Sequence, residues 1–199
     1  MFDTLWENPS ALFALIAVLA MIMAGIYISR VNFTMSMLFN VALMLMLTLI
    51  LHQIRLYHLP QGGLVTPGGM VPLILIAYRY GAPVGVLAGF ICGFVVLLSD
   101  PVFVHPVQIV FDYPLPFMAI GLAGLWPNKR WLATALAFAS RFAVHFASGV
   151  VFFGAHAPEG TSSVVYSLSV NAAYMIPECL LCALILKFLP QERVLKMMG

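Results

Sequence analysis

The sequence predicts an all-α integral membrane protein of seven apolar segments, and three observations carry that reading. The chain of 199 residues is 63% hydrophobic and only 8% charged, where an ordinary soluble domain draws about a quarter of its residues from Asp, Glu, Lys and Arg. Its mean hydropathy is +1.04. The apolar residues come in runs long enough to cross a bilayer core, at roughly 20 residues per helix, and the length leaves space for six or seven such helices and no appended soluble domain. The whole chain, 1–199, is therefore read as one transmembrane domain.

Hydropathy places helices at 10–29, 34–54, 84–98, 107–126, 131–153 and 164–188, with a shorter apolar stretch at 70–80. The amino terminus, Met1 to Ser10, carries Asp3 and Glu7 and no Lys or Arg, so it lacks the basic region of a secretory signal, and 10–29 is expected to be a retained helix. The stretch Met70 to Tyr80 follows the Gly- and Pro-rich segment Leu59 to Gly69. It is too short to cross a core of about 30 Å alone, which leaves a tilted span buried among its neighbours or a re-entrant piece. Gln61-Gly62-Gly63 just before it reads as a lid or as a plain connector.

Counting basic residues on each side orients the chain. With the amino terminus outside, Arg30, Arg79, Lys129, Arg130, Lys187, Arg193 and Lys196 fall inside, Arg55 alone falls outside, and Arg141 lies within a helix. The loops at 99–106 and 154–163 then face out, and the carboxyl terminus faces the cytoplasm. The net charge of +2 says little about partners, and no nucleic-acid partner is expected. Cys92, Cys179 and Cys182 lie inside apolar runs without further metal ligands nearby, so they read as small buried residues.

An ionisable side chain in a spanning helix costs a few kcal/mol on insertion scales, which makes each one a functional candidate unless a partner explains it. Gln108 and Asp112 share a face four residues apart, as do Arg141 and His145; Asn171, Tyr174 and Glu178 share another at i, i+3 and i+7, with Tyr166 a turn above. Helical rise then sorts them by depth: Asp112, Asn171 and His145 lie roughly 9, 10 and 12 Å below the outer ends of their helices, while Arg141 and Glu178 lie roughly 18 and 21 Å down. The shallower residues form one layer. The deeper two are plausible partners in a structural ion pair.

The layer suits a flat, positively charged, hydrogen-bonding heterocycle. Asp112 offers countercharge; His145, Tyr113, Phe153 and Tyr166 offer ring faces; Asn171 offers a donor and an acceptor to a heterocycle edge. Each residue also has a plainer use: Asp112 as a partner of Arg141, His145 as a satisfied core histidine, Asn171 as an interhelical contact, and the aromatics as interface anchors.

These segments resemble the thiamine-specific S component of energy-coupling factor transporters. The similarity is carried by R-F-x-x-H-F-x-S-G-x-x-F-F at 141–153, A-P-E-G-x-x-x-x-x-Y-S-L-S-V-N at 157–171, G-G-L-V-T-P-G-G-M-V-P-L-I-L-I-A-Y-R-Y-G at 62–81 and H-P-V-Q-I-V-F-D-Y at 105–113. The resemblance implies a six-helix bundle at 34–188 with an outward-facing substrate pocket, and it makes 10–29 an additional helix. It implies that Asp112, where the family usually has Glu, recognises the cationic ligand, with Tyr113 following. His145 then lies beside the thiazolium, Phe153 takes the place of a stacking Trp, and Tyr166 with Asn171 hydrogen-bonds the aminopyrimidine. No Trp occurs between Asn32 and Gly69. Ala11, Ala14, Ala17, Ala20 and Ala24 give the added helix a small-residue surface suited to close packing. In the family a small-residue motif on the first helix docks a coupling protein, which leaves two readings here: docking through Ala20 and Ala24, or an added helix that covers the docking face so that the protein works alone.

The function so implied is high-affinity thiamine binding and import, without catalytic residues, metal or cofactor. No G-x-x-x-x-G-K-[ST] sequence is present, so energy would come from partner ATPase subunits and the coupling protein. The alternative is a solitary proton-coupled carrier of thiamine or a related pyrimidine or cationic precursor. An intramembrane enzyme built on His145 and Asp112 would lack a nucleophile or a metal set.

Overall fold

The computed structural model describes residues 9–59 and 63–199, without the side chains of residues 9–15, 21, 26 and 28. Helix α1 (Pro9–Ile28) is followed by α2 (Met35–Gln53), a short antiparallel hairpin β1 (Tyr57–His58) and β2 (Leu64–Val65), then α3 (Val71–Tyr80) and α4 (Ala82–Ser99). The next span is divided into α5 (Pro106–Asp112) and α6 (Pro114–Gly121), closed by a 3₁₀ turn at Leu122–Leu125. Two long helices, α7 (Arg130–Phe152) and α8 (Ser163–Phe188), and a short terminal α9 (Gln191–Met197) complete it. Five stretches among the described residues are long and apolar enough to cross a membrane: Met35–Gln53, Ala82–Ser99, Pro106–Leu125, Arg130–Phe152 and Ser163–Phe188.

The short segment proves to be a buried helix. Val71 through Tyr78 of α3 are all buried, with Leu73, Ile74, Ile76 and Ala77 wholly so, because α2, α4, α6 and the 3₁₀ turn at Leu122–Leu125 pack around it. A ten-residue helix is tolerated at membrane depth when protein covers its backbone. The expected continuous helix at 107–126 is instead broken at Tyr113. Pro114 has no N–H to give to a carbonyl one turn back, and its ring disfavours helical geometry in the residue before it; Tyr113 accordingly sits at φ −112°, ψ −79° between the two helices.

Backbone contact fixes where that break lies. Gly85, Gly89 and Gly93 line one edge of α4 at four-residue spacing, and α6 lies directly on them. A Cβ at Gly89 would meet the Phe117 carbonyl carbon at 2.6 Å and Met118 N at 2.7 Å; one at Gly93 would meet Pro114 Cα at 2.7 Å. Small residues permit this approach, and in lipid such packing replaces the hydrophobic drive that water supplies. The break at Tyr113 is thereby seated against Gly93, with Asp112 turned to His145 of α7 and Tyr113 packed with Leu97 of α4.

Helix α1 leans on α4 and α5 through Val18 and Ile22, which pack with Phe90 and Val110. The alanine face expected to pack closely turns outward: Ala17, Ala20 and Ala24 are exposed, while the side chains of Ala11 and Ala14 are outside the described residues, as are Met1 to Glu7, Asn8, Gln61 and Gly62. The end of the bundle near Arg79 and Arg130 is closed by α9. Asn40 Nδ2 donates to the Met198 carbonyl at 2.9 Å, the Tyr80 hydroxyl donates to the same oxygen, and Arg130 pairs with Glu192 at 2.6 Å.

Candidate ligand-binding site

At the other end, α2, the hairpin, the α4–α5 loop, α5, α7 and α8 enclose a cavity of about 800 Å³. Pockets for small ligands span about 300–1,000 Å³. Asp112, Tyr113, His145, Phe153, Tyr166 and Asn171 all line it, so the structure brings together the six residues named for the ligand.

Asp112 closes α5 with its carboxylate turned to the cavity. Oδ2 accepts from Gln108 Nε2 at 2.5 Å, and Oδ1 stands 3.9 Å from His145 Nδ1. Gln108, fully buried, also donates to Val102 O at 3.2 Å and accepts from Val104 N at 3.1 Å. One side chain thus orients the acid and pins the α4–α5 loop. Tyr113 holds the same loop: its hydroxyl accepts from Val102 N at 2.5 Å and donates to Asp100 O at 2.9 Å. What Tyr113 has left to present is its ring.

His145 lies between the acid and Tyr174, whose ring it meets edge-on at 6.2 Å, and its Nε2 is buried without a partner among the described residues. Phe153, just after α7, tilts against His156 at 6.0 Å, and Tyr166 is half-buried nearer the rim. Asn171 is deeply engaged. Its Nδ2 donates to Ser167 O at 2.9 Å and reaches Ser167 Oγ at 3.2 Å and His145 O at 3.4 Å; its Oδ1 accepts from the Tyr174 hydroxyl at 2.8 Å. Its interhelical role is therefore real, and its hydrogen-bonding capacity is largely used before any ligand arrives.

Gly149 makes that network possible. It faces Ser167 across the α7–α8 contact, where a Cβ would lie 2.9 Å from Ser167 Cβ and 3.3 Å from Asn171 Nδ2. Ser167 in turn donates to Phe146 O at 2.8 Å.

The expected ion pair of Arg141 with Glu178 does not form. Glu178 Oε2 accepts from Thr66 N and Oε1 from Thr66 Oγ1, both at 2.6 Å, while Thr66 Oγ1 accepts from Gly69 N at 2.8 Å. Two directed bonds to the chain entering α3 satisfy the carboxylate locally, and it lines only a small void beneath the main cavity. Asp112 is not the partner of Arg141 either. The guanidinium lies 4.6 Å over the Phe117 ring and forms part of the cavity floor, so Arg141 belongs with the site rather than with the scaffold.

Sequence reasoning also passed over His52 and left Tyr174, though noted on the face of Asn171, outside the binding set; both line the cavity. An imidazole near the end of the apolar run 34–54 meets the same test that singled out His145, and Tyr174 shares the face of Asn171 at i+3. At the rim, Arg55 pairs with Asp100 at 2.7 Å, joining the end of α2 to the end of α4; no spacing rule links residues so far apart in the chain.

Known proteins resemble this chain in sequence and in fold. The family model described as Thiamine transporter protein (Thia_YuaJ) matches residues 38–197. The thiamine transporter ThiT of Bacillus subtilis (strain 168) is 37% identical over 157 residues, spanning 69% of this chain and 81% of that protein. ThiT of Lacticaseibacillus paracasei is 33% identical over 123 residues, 52% of this chain and 61% of that protein. A solved structure of ThiT from Listeria monocytogenes matches with a TM-score of 0.71 at 22% identity, over 81% of this chain and 96% of that one, a likeness of fold. With its matched region beginning inside α2 and α1 lying ahead of it, this multi-pass membrane protein belongs to the thiamine transporter protein family.

Proposed function

We propose that the protein binds thiamine in this cavity and imports it across the cytoplasmic membrane as the substrate-binding component of an energy-coupling factor transporter, with the cavity end outside and α9 at the cytoplasm. The observation that carries the reading is the Asp112 carboxylate, held by Gln108 at 2.5 Å and facing His145 at 3.9 Å, inside a cavity walled by Tyr113, Phe153 and Tyr166. A fixed carboxylate among ring faces is complementary to a flat cation: it supplies countercharge where water is largely displaced, and rings add cation–π attraction.

Family membership supports the substrate, and the chain's basic residues support the orientation. Arg79, Lys129, Arg130, Lys187, Arg193 and Lys196 lie at the ends of helices remote from the cavity or in α9, as the positive-inside tendency requires of a cytoplasmic face. Asn171, committed to Ser167 and Tyr174, acts by holding Tyr174 in place and by offering its remaining acceptor capacity to the aminopyrimidine. Energy for reorientation comes from a coupling protein and ATPase subunits.

The test is a titration of detergent-purified protein with thiamine, its pyrimidine precursor and riboflavin, alongside Asp112→Asn. The wild type is expected to prefer thiamine, and the variant to bind it at least about tenfold more weakly, as befits loss of a charge-assisted contact. Failure of the wild type to bind any thiamine-related compound would sink the proposal. Equal binding by Asp112→Asn would remove the countercharge role alone.

A further inference from the structure

Gln108 is wholly buried and stands behind the cavity wall rather than on it. A primary amide inside a spanning segment is costly unless its polar atoms are met, and a methionine would fill a similar volume without that cost. What the amide adds is its hydrogen bonds, and they run to two places. Nε2 donates to Asp112 Oδ2 at 2.5 Å and to Val102 O at 3.2 Å, while Oε1 accepts from Val104 N at 3.1 Å.

The α4–α5 loop decides which way this amide faces. The Val104 N–H can only donate and the Val102 carbonyl can only accept, so the side-chain oxygen turns to the first and the NH2 group to the second. Turning the amide over would set donor against donor and acceptor against acceptor. The remaining N–H therefore points at Asp112, and what Gln108 shows the acid is always a donor. The loop is itself braced. The Tyr113 hydroxyl accepts from Val102 N at 2.5 Å and donates to Asp100 O at 2.9 Å, and the Asp100 carboxylate pairs with Arg55 at 2.7 Å.

The consequence falls on the acid. With Oδ2 taken by Gln108, Oδ1 is the oxygen that faces His145 Nδ1 at 3.9 Å. A carboxylate without such a donor turns about its side-chain torsions, and a ligand must immobilise it on binding. That cost falls hardest on a ligand whose attraction depends on the carboxylate.

We propose that Gln108 is a positioning residue for cation recognition: it makes no ligand contact, and it acts by holding the Asp112 carboxylate against the braced loop with one oxygen presented to the positive ring. This rests on the thiamine reading. Selectivity for a charged over an uncharged ring then depends on a side chain that no ligand touches.

A four-cornered binding cycle in detergent-purified protein tests it, with wild type and Gln108→Met each titrated with thiamine and with a neutral isostere in which carbon replaces the quaternary nitrogen of the thiazolium ring. Wild type should prefer thiamine by about tenfold or more, and Gln108→Met should reduce that preference by about fivefold. Gln108→Asn, too short by a methylene to join loop and acid, should do the same, and it serves if the methionine variant does not fold. A side chain that only filled space or pinned the loop would weaken both ligands alike, so a preference within about twofold of wild type in either variant overturns the positioning role and leaves the thiamine reading intact. Equal binding of the two ligands by wild type removes the countercharge, and the role of Gln108 with it. Wild-type failure to bind thiamine overturns the thiamine reading itself.

Discussion

Replacing Gly149 with alanine should damage the ligand site by pushing Ser167 and Asn171 of α8 away from α7. The new methyl carbon would lie 2.9 Å from Ser167 Cβ, where ordinary contact begins at 3.4 Å, and closer still to Ser167 Oγ. Rotating the hydroxyl does not relieve the clash, since the Cβ cannot rotate away. Helices α7 and α8 must therefore part by about half an ångström locally, and Ser167 gives up its bond to Phe146 O. Overpacking of this kind costs about 1–3 kcal/mol, and the lost hydrogen bond about 1 kcal/mol more. Asn171 Nδ2, 3.3 Å from the same methyl position, moves with Ser167 and carries Tyr174 with it through their 2.8 Å bond. The expected outcome is a melting temperature lower by roughly 4–16 °C and thiamine affinity weaker by about tenfold, read by thermal unfolding and by titration in detergent. Gly25→Ala is the control: nothing lies within 4 Å of a Cβ there, and alanine is the better helix former, so stability should hold or rise. Wild-type affinity and melting in Gly149→Ala would refute the claim that close α7–α8 contact sets the geometry of Asn171.

Gly89→Ala directs a methyl at the backbone of Phe117 and Met118, where no side chain can turn aside, so monodisperse protein recovered by size-exclusion chromatography should fall severely; normal recovery would mean that α4 and α6 adjust more easily than their contact implies. Thr66→Val removes the hydroxyl that donates to Glu178 and accepts from Gly69 N, stranding a carboxylate oxygen and a buried N–H at a cost of about 2–4 kcal/mol. Thermal unfolding should show that loss, and Thr66→Ser should restore most of it; equal melting of Thr66→Val and wild type would mean that Glu178 has another partner.

The membrane class, the spans and the layer of polar residues were legible in the sequence because each depends on local arithmetic. A run of apolar residues either covers the bilayer core or does not, and Asp112, His145 and Asn171 acquire a common depth from helical rise alone. The same arithmetic grouped Asp112, His145 and Asn171, with Tyr166 above them, since side chains one turn apart on a helix face one way whatever the helix packs against; Tyr113 and Phe153 came from ring chemistry and the family resemblance.

It could not reach who pairs with whom. Depth put Arg141 beside Glu178, but depth carries no lateral information. Thr66, over a hundred residues from Glu178 in the chain, takes both oxygens of that carboxylate because the segment entering the buried helix Val71–Tyr80 passes directly over it. The break at Tyr113 was implicit in Pro114, yet only the bed of Gly89 and Gly93 decides which way Asp112 points from it. Composition, spacing and rise thus determined the kind of protein and the level of its site, because these are properties of single helices. Which donors are spent and which remain open to a ligand was decided by tertiary packing, because a hydrogen bond depends on ångström-scale distances between helices that sequence spacing does not encode.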